Sequence, residues 1–117
     1  MSVSVIGAGV TGLSIAFHLL ERGVGPVAIL DRSGVGAGAS GVQPGGVRQQ
    51  WSTRAACVMA RESVSFYRDF PARFGTLAQA RLDRCGYLFV AHEPASLLRL
   101  EEAVEVQHAV GDRKSVV

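Results

Sequence analysis

The sequence from Val3 to Asp31 is VSVIGAGVTGLSIAFHLLERGVGPVAILD, and it decides the fold. Val3–Ile6 is a short β-branched run bounded by glycine, which is typical of a parallel strand buried on both faces. From Val10 to Arg22 apolar residues recur at helical spacing, and Gly23 stands where a C-terminal cap belongs. Val27–Leu30 is a second apolar run. This succession of strand, helix and strand predicts a right-handed parallel crossover and an α/β fold.

A glycine motif, G-x-G-x-x-G, follows the first strand and opens the helix. Gly7 permits a tight turn, Gly9 lets the backbone approach a pyrophosphate, and Gly12 allows close helix packing. The N-terminus of the helix presents N–H groups and a positive dipole to that anion. Asp31, nineteen positions after Gly12, can accept hydrogen bonds from an adenosine ribose. A bare glycine triplet also fits a simple turn, but in this context it predicts dinucleotide binding.

The segment after Asp31 distinguishes between dinucleotides. Residues 34–46 contain six glycines in thirteen positions, which predicts a loop rather than a helix or a strand. In nicotinamide-binding domains the second strand normally leads into another helix, so this loop favours a longer, extended cofactor. A flexible surface linker is the alternative, and the valines at 35, 42 and 47 disfavour it.

The rest of the chain predicts two more helices and one strand. Ser52 or Thr53 can cap a long amphipathic helix that ends at Pro71. Its inner face would carry Ala56, Ala60, Val64, Tyr67 and Phe70. Tyr87–Ala91 is typical of a strand, and Pro94 suits the first turn of a helix that reaches about residue 110. On that helix Leu97, Leu100 and Val104 share one face.

Composition favours a globular protein that acts on a small molecule. The chain has 48% hydrophobic residues and a net charge of only +2, with no basic cluster for nucleic acid and no apolar run long enough to span a membrane. Cys57 and Cys85 lack metal-ligand spacing, so we expect buried free thiols in the cytoplasm rather than a disulfide. We expect no metal site, and the sequence does not indicate an oligomeric state.

The motifs together resemble the D-amino acid oxidase type of FAD-dependent oxidoreductases, which includes sarcosine oxidase, glycine oxidase and dimethylglycine dehydrogenase. The resemblance rests on VIGAGVTG at 5–12, LDR at 30–32, GASG at 38–41 and GGVR at 45–48. It implies a Rossmann-like βαβ FAD-binding unit, followed by a glycine-rich loop, a long helix and the start of a substrate domain. It also implies oxidation of C–N bonds in amines or amino acids, with hydride passing to the flavin.

Together, the motif and the resemblance imply FAD contacts on three segments of the chain. The candidate cofactor-binding residues are Gly7, Ala8, Gly9, Val10, Thr11, Gly12, Asp31, Arg32, Ala39, Ser40, Gln43, Gly45 and Gly46. Some members of the family hold FAD covalently through a histidine at the position of Gln43, so non-covalent FAD is expected at this loop. Asp31 departs from the glutamate that is common in the family, yet an aspartate can still bind a ribose.

Other residues leave alternatives open. The resemblance places Arg48 near the flavin, where it would stabilise negative charge or hold a substrate carboxylate; a surface or ion-paired arginine is the alternative. Trp51 fits core packing better than a wall of the flavin pocket. His18, His92 and His108 lie far apart in sequence, without ligand spacing.

The resemblance divides the chain into residues 1–80, the first part of an FAD-binding domain, and 81–111, the start of a substrate domain. Residues 112–117, DRKSVV, coincide with an in-frame read through a common sequencing adapter, so we expect an artefactual tail on an N-terminal fragment. An NAD-dependent dehydrogenase fragment is the second hypothesis, because Asp31 would repel the 2′-phosphate of NADP. A non-catalytic nucleotide-binding subunit is the third.

Overall fold

The computed structural model describes residues 2–75 and 82–112. The chain forms two compact units, Met1–Gly46 and Val47–Val117. The expected domain boundary at 80/81 lies outside the described residues, and of the expected tail at 112–117 only Asp112 is described, so both stay predictions.

The first unit contains the predicted βαβ crossover. Strand β1 (Val3–Ile6), helix α1 (Val10–Glu21) and strand β2 (Val27–Leu30) follow in order. The two strands pair in parallel, with Val3 opposite Val27 and Ile6 opposite Leu30. Gly23 follows the helix with φ +71°, a conformation that glycine adopts readily, and its N–H donates to Leu20 O at 2.9 Å. The α/β prediction is therefore confirmed.

The prediction that β1 is buried on both faces is wrong for this chain. Val5 is 9% exposed and Ala16 of α1 is 3% exposed, so the core of the unit lies where the helix covers the strands. Ile6, in contrast, is 88% exposed. Among the described residues the sheet has only two strands, and α1 packs against both of them, so the remaining strand surface stays open.

The glycine-rich segment is not loop throughout, which corrects the prediction for residues 34–46. One helical turn, α2 (Ala39–Val42), lies within it. Gly41 N donates to Gly38 O and Gln43 N donates to Ala39 O, both at 3.1 Å. A Cβ on Gly41 would collide with Gly36 O, so a glycine is required here for close backbone packing rather than for flexibility.

The second unit contains the long helix α3 (Arg54–Phe74). Thr53 caps it by accepting the Ala56 N–H at 3.3 Å, as predicted. The predicted end at Pro71 is wrong, because the carbonyl of Pro71 still accepts a hydrogen bond from Gly75 N at 3.0 Å and only its own N–H is lost. All five predicted inner-face residues are half-buried, and Cys57 beside them is buried.

Helix α4 (Pro94–Ala109) begins with Pro94 in its first turn and stops one residue before the predicted limit. The predicted strand at 87–91 does not form, because this segment pairs with no other strand among the described residues. Both cysteines are free, but only Cys57 is buried, so the expectation of a buried thiol is wrong for Cys85, which is exposed. None of the helices described is long and apolar enough to cross a membrane.

Candidate dinucleotide site

The turn between β1 and α1 has the backbone that its glycines predict. Gly7 has φ +104°, and its N–H donates to Leu30 O at 2.7 Å, which ties the turn to the end of β2. A Cβ on Gly12 would collide with Gly7 O and lie 3.4 Å from Val5 Cγ1. Helix α1 therefore starts in close contact with the strand that precedes it, and only glycine fits at position 12.

Three hydrogen bonds fasten the following loop to this turn. Ala8 N donates to Asp31 Oδ2 at 2.8 Å, Gly36 N donates to Ala8 O at 2.9 Å, and Val10 N donates to Ser40 Oγ at 2.9 Å. Asp31 lies directly after β2 and before the loop of residues 34–46, whereas Gly36 and Ser40 lie within that loop. These bonds argue against the alternative of a flexible linker.

The carboxylate of Asp31 organises the end of β2. Besides the Ala8 N–H on Oδ2, its Oδ1 accepts from Ser33 N at 2.7 Å and from Gly34 N at 3.1 Å. The pKa of Asp31 lies below its ordinary value, and the main cause is the hydrogen bond from Ala8 N, followed by that from Ser33 N. A carboxylate has about four lone-pair positions, so one remains for a donor such as a ribose hydroxyl.

The first turn of α1 offers unpaired donors. The backbone N–H groups of Gly9, Thr11 and Gly12 have no acceptor among the described residues. The initial N–H groups of a helix and its positive dipole end attract anions. The donor set therefore fits a pyrophosphate.

The other predicted contacts lie on the same unit. Ala39 and Ser40 open α2, and Arg32 is exposed directly after Asp31. Gln43 follows α2 and accepts the Gly45 N–H on Oε1 at 3.1 Å, while Gly45 has φ +77° and Gly46 ends the unit. Hydrogen bonds join segments 7–12 and 31–43; for Gly46 the structure gives only its exposed position.

The sequence did not reveal the backbone contributions of Ser33, Gly34 and Gly36. Ser33 and Gly34 donate to Asp31, and Gly36 donates to Ala8 O. For two of these residues the sequence did carry a signal, namely that they are glycines. Gly34 and Gly36 both have positive φ, a conformation that glycine adopts readily.

Arg48 belongs to the second unit, where it stacks on aromatic rings. Its guanidinium carbon lies 4.0 Å from the ring centre of Trp51 and 5.7 Å from that of Phe89. These rings line a groove of about 800 Å³, together with Gln50 and Gln107. Trp51 is 40% exposed, so the expectation of core packing is wrong and its indole forms a groove wall.

The parallel crossover, with its glycine turn and the acidic residue after β2, defines a Rossmann-like α/β unit, a class whose glycine turn commonly binds dinucleotides. Comparison with known families is more specific. The family model described as FAD dependent oxidoreductase matches residues 2–116. The chain belongs to this family.

Individual relatives agree with the family. The chain is 34% identical over 118 residues to FAD-dependent oxidoreductase domain-containing protein 1 of Xenopus laevis, covering 93% of this chain and 23% of the relative. It is 32% identical to gamma-glutamylputrescine oxidoreductase of Escherichia coli (strain K12), and the match covers 96% of this chain and 29% of the relative. The crystal structure of L-proline dehydrogenase from P. horikoshii superposes with a TM-score of 0.82 at 25% identity. The match covers 94% of this chain and 28% of the dehydrogenase chain. The chain thus spans about a quarter of the length of these relatives.

Proposed function

We propose that this chain provides the FAD-binding portion of an oxidoreductase that oxidises C–N bonds in small amines or amino acids. The observation that carries the proposal is the glycine turn, which Asp31 and Ser40 hold by hydrogen bonds and in which three backbone N–H groups have no acceptor among the described residues. Family membership implies FAD, and the names of two relatives, gamma-glutamylputrescine oxidoreductase and L-proline dehydrogenase, support substrates with a C–N bond. Bound FAD would accept a hydride from such a substrate.

Each segment of the site has a role in this proposal. The N–H groups of Gly9, Thr11 and Gly12 bind the pyrophosphate, and the free lone pair of Asp31 accepts a ribose hydroxyl. The remaining candidate residues of the loop, Arg32, Ala39, Ser40, Gln43, Gly45 and Gly46, contact the rest of the cofactor. Arg48 stabilises negative charge on the reduced flavin or on a substrate carboxylate.

The proposal is tested by nucleotide binding to the purified chain. We expect FAD and ADP to bind, and Gly9→Val to abolish binding of both, since a side chain at position 9 would lie against Ser40 Oγ and the phosphates. Gly38→Ala is the matched control, because a Cβ there meets nothing within 4 Å. Equal binding by the Gly9→Val variant would refute the phosphate position. Tighter binding of NAD than of ADP or FAD would favour the nicotinamide hypothesis.

We further propose that FAD is held non-covalently, because the amide of Gln43 cannot form a histidyl linkage. Acid precipitation of the flavin-loaded enzyme should release the flavin into the supernatant. Flavin that stays in the pellet and maps by peptide analysis to residues 39–46 would disprove this. Cytoplasmic location, consistent with the two free cysteines, is part of the same proposal.

A further inference from the structure

Arg48 is a half-buried cation that has no acceptor or counter-ion among the described residues. Its guanidinium carbon lies 4.0 Å from the ring centre of Trp51 and 5.7 Å from that of Phe89. Arg61, in contrast, donates to the carbonyl of Val110. The position of the Arg48 charge therefore depends on aromatic rings, and the ring of Trp51 is the nearer one.

Trp51 is held by its backbone carbonyl. Cys57 Sγ of α3 and Gln107 Nε2 of α4 both donate to Trp51 O, each at 3.1 Å. A thiol is a weak donor and a primary amide is a full one, so Gln107 makes the stronger of the two bonds. One oxygen of the second unit thus joins α3, α4 and the segment that precedes α3.

The amide of Gln107 is buried at a cost in stability. It is 4% exposed, and its Oε1 has no donor among the described residues. An apolar side chain of the same size would avoid this unsatisfied acceptor. The opposite orientation of the amide would place Oε1 against Trp51 O, two acceptors in contact, so Nε2 must face the carbonyl. A polar side chain at this buried position is explained by the carbonyl that it holds.

We propose that Gln107 is a positioning residue for Arg48. By fixing Trp51 O, it sets the direction of the Trp51 side chain and hence of the indole face on which the guanidinium lies. Gln107 acts through Trp51 rather than by a hydrogen bond to Arg48. The task of Arg48, to stabilise negative charge, belongs to the proposed function, on which this inference rests. The inference adds a residue of α4, distant in sequence, that places the charge.

The fluorescence of Trp51 tests this arrangement, because it is the only tryptophan of the chain and is 40% exposed to quenchers. Acrylamide is a neutral quencher and iodide an anionic one, so a cation on the indole favours iodide alone. At about 0.1 M salt, the Arg48 charge should raise the ratio of the iodide to the acrylamide quenching constant about twofold. Arg48→Met, which keeps a long side chain without the charge, should remove this excess.

The deciding variant is Gln107→Met, which keeps the volume of the side chain and removes the donor. It should lower the quenching ratio about twofold, as Arg48→Met does. The double variant should be no lower than either single variant, because both changes remove the same contact. Leu98→Ala, at an exposed position of α4 outside the groove, is the control and should leave the ratio unchanged. A purely structural role of Gln107 would change thermal unfolding but not this ratio.

NMR of the ¹⁵N-labelled wild-type chain tests the same arrangement without any variant. The ring current of Trp51 should shift the Arg48 Nε–H resonance upfield, and a side-chain amide proton of Gln107 should be protected from exchange. Absence of either signal overturns the inference, as does a folded Gln107→Met chain with the wild-type quenching ratio or an additive double variant. Because none of these measurements needs a nucleotide, failure of FAD and ADP to bind would refute the proposed function and leave the positioning of Arg48 intact.

Discussion

At the scale of single residues, Gly12 is the glycine that the fold can least replace. Its missing side chain leaves room for Gly7 O, and Val5 Cγ1 lies 3.4 Å from where a Cβ would be. Gly12→Ala should therefore lower the free energy of unfolding by at least about 2 kcal/mol, because a backbone oxygen cannot yield as a flexible side chain can. Urea denaturation measures this, with Gly38→Ala as the control. A Gly12→Ala chain as stable as that control would contradict the close contact.

Asp31 makes stability depend on pH. Hydrogen bonds from Ala8 and then Ser33 hold its pKa below the ordinary value of 3.8. A carboxyl group whose pKa is lowered by folding stabilises the fold above its ordinary pKa, and this contribution disappears as the pH falls through the lowered folded value. Stability measured from pH 6 downwards should therefore decline below about pH 4. Asp31→Asn should be less stable at pH 6 and should decline less steeply; a slope equal to that of the wild type would contradict this role.

At the scale of elements, local signals predicted the first unit well. The bounds of β1 and β2 agree with the prediction, and α1 ends one residue earlier, at Glu21. The strands are short apolar runs that glycines delimit, and each end of α1 has its own glycine. These signals act within a few residues, so they can be recognised without knowledge of tertiary contacts.

The errors concern features that depend on distant partners. Tyr87 and Phe89 stack with their ring centres 6.3 Å apart, as alternate residues on one side of an extended strand can. No described strand lies beside them, however, so no sheet forms. Pro71 fails to end α3 because a proline removes one donor but leaves its carbonyl available. The turn α2 depends on contact between Gly41 and Gly36 O, and glycine count alone does not reveal such a contact.

The sequence predicted which glycines and which acidic residue form the site, but it did not predict the hydrogen bonds between them. Spacing identified Gly7, Gly12 and Asp31 because each occupies a fixed position relative to a strand or a helix. It did not show that Asp31 accepts three backbone N–H groups, since these belong to two segments that meet only in the folded unit. The assignment of all these residues to cofactor binding stays a prediction.

A buried amide of α4 binds the segment that precedes α3. Gln107 is 4% exposed and donates from Nε2 to Trp51 O at 3.1 Å, and the Cys57 thiol donates to the same carbonyl at 3.1 Å. Gln107→Ala removes one of these partners and leaves a small cavity, so we expect a loss of about 1–3 kcal/mol. Glu102→Ala, on the exposed side of α4, should change stability by no more than about 0.5 kcal/mol. If thermal unfolding shows that Gln107→Ala and Glu102→Ala lower stability equally, Gln107 has no special role.

At the scale of the whole molecule, the chain exposes much apolar surface. Ile6 is 88% exposed and Leu30 58% exposed at the ends of the two strands, and Leu88 is 89% exposed in the unpaired segment of the second unit. Apolar surface of this extent favours association between molecules. We expect the purified chain to self-associate as its concentration rises, so binding measurements belong in the dilute range.

The same exposure predicts that the 117-residue chain binds the adenosine diphosphate half of FAD but does not turn over substrate. The fastened turn supplies donors for the pyrophosphate, whereas a flavin ring against open apolar surface stays in contact with water, which screens the dipoles that should stabilise the reduced form. FAD should therefore bind no more than about tenfold tighter than ADP, a difference of about 1.4 kcal/mol. Titration of both ligands measures this ratio. Dye reduction should be absent with sarcosine, glycine, proline and D-alanine; turnover of any of them, or a FAD preference of about a thousandfold, would show that the chain encloses the ring.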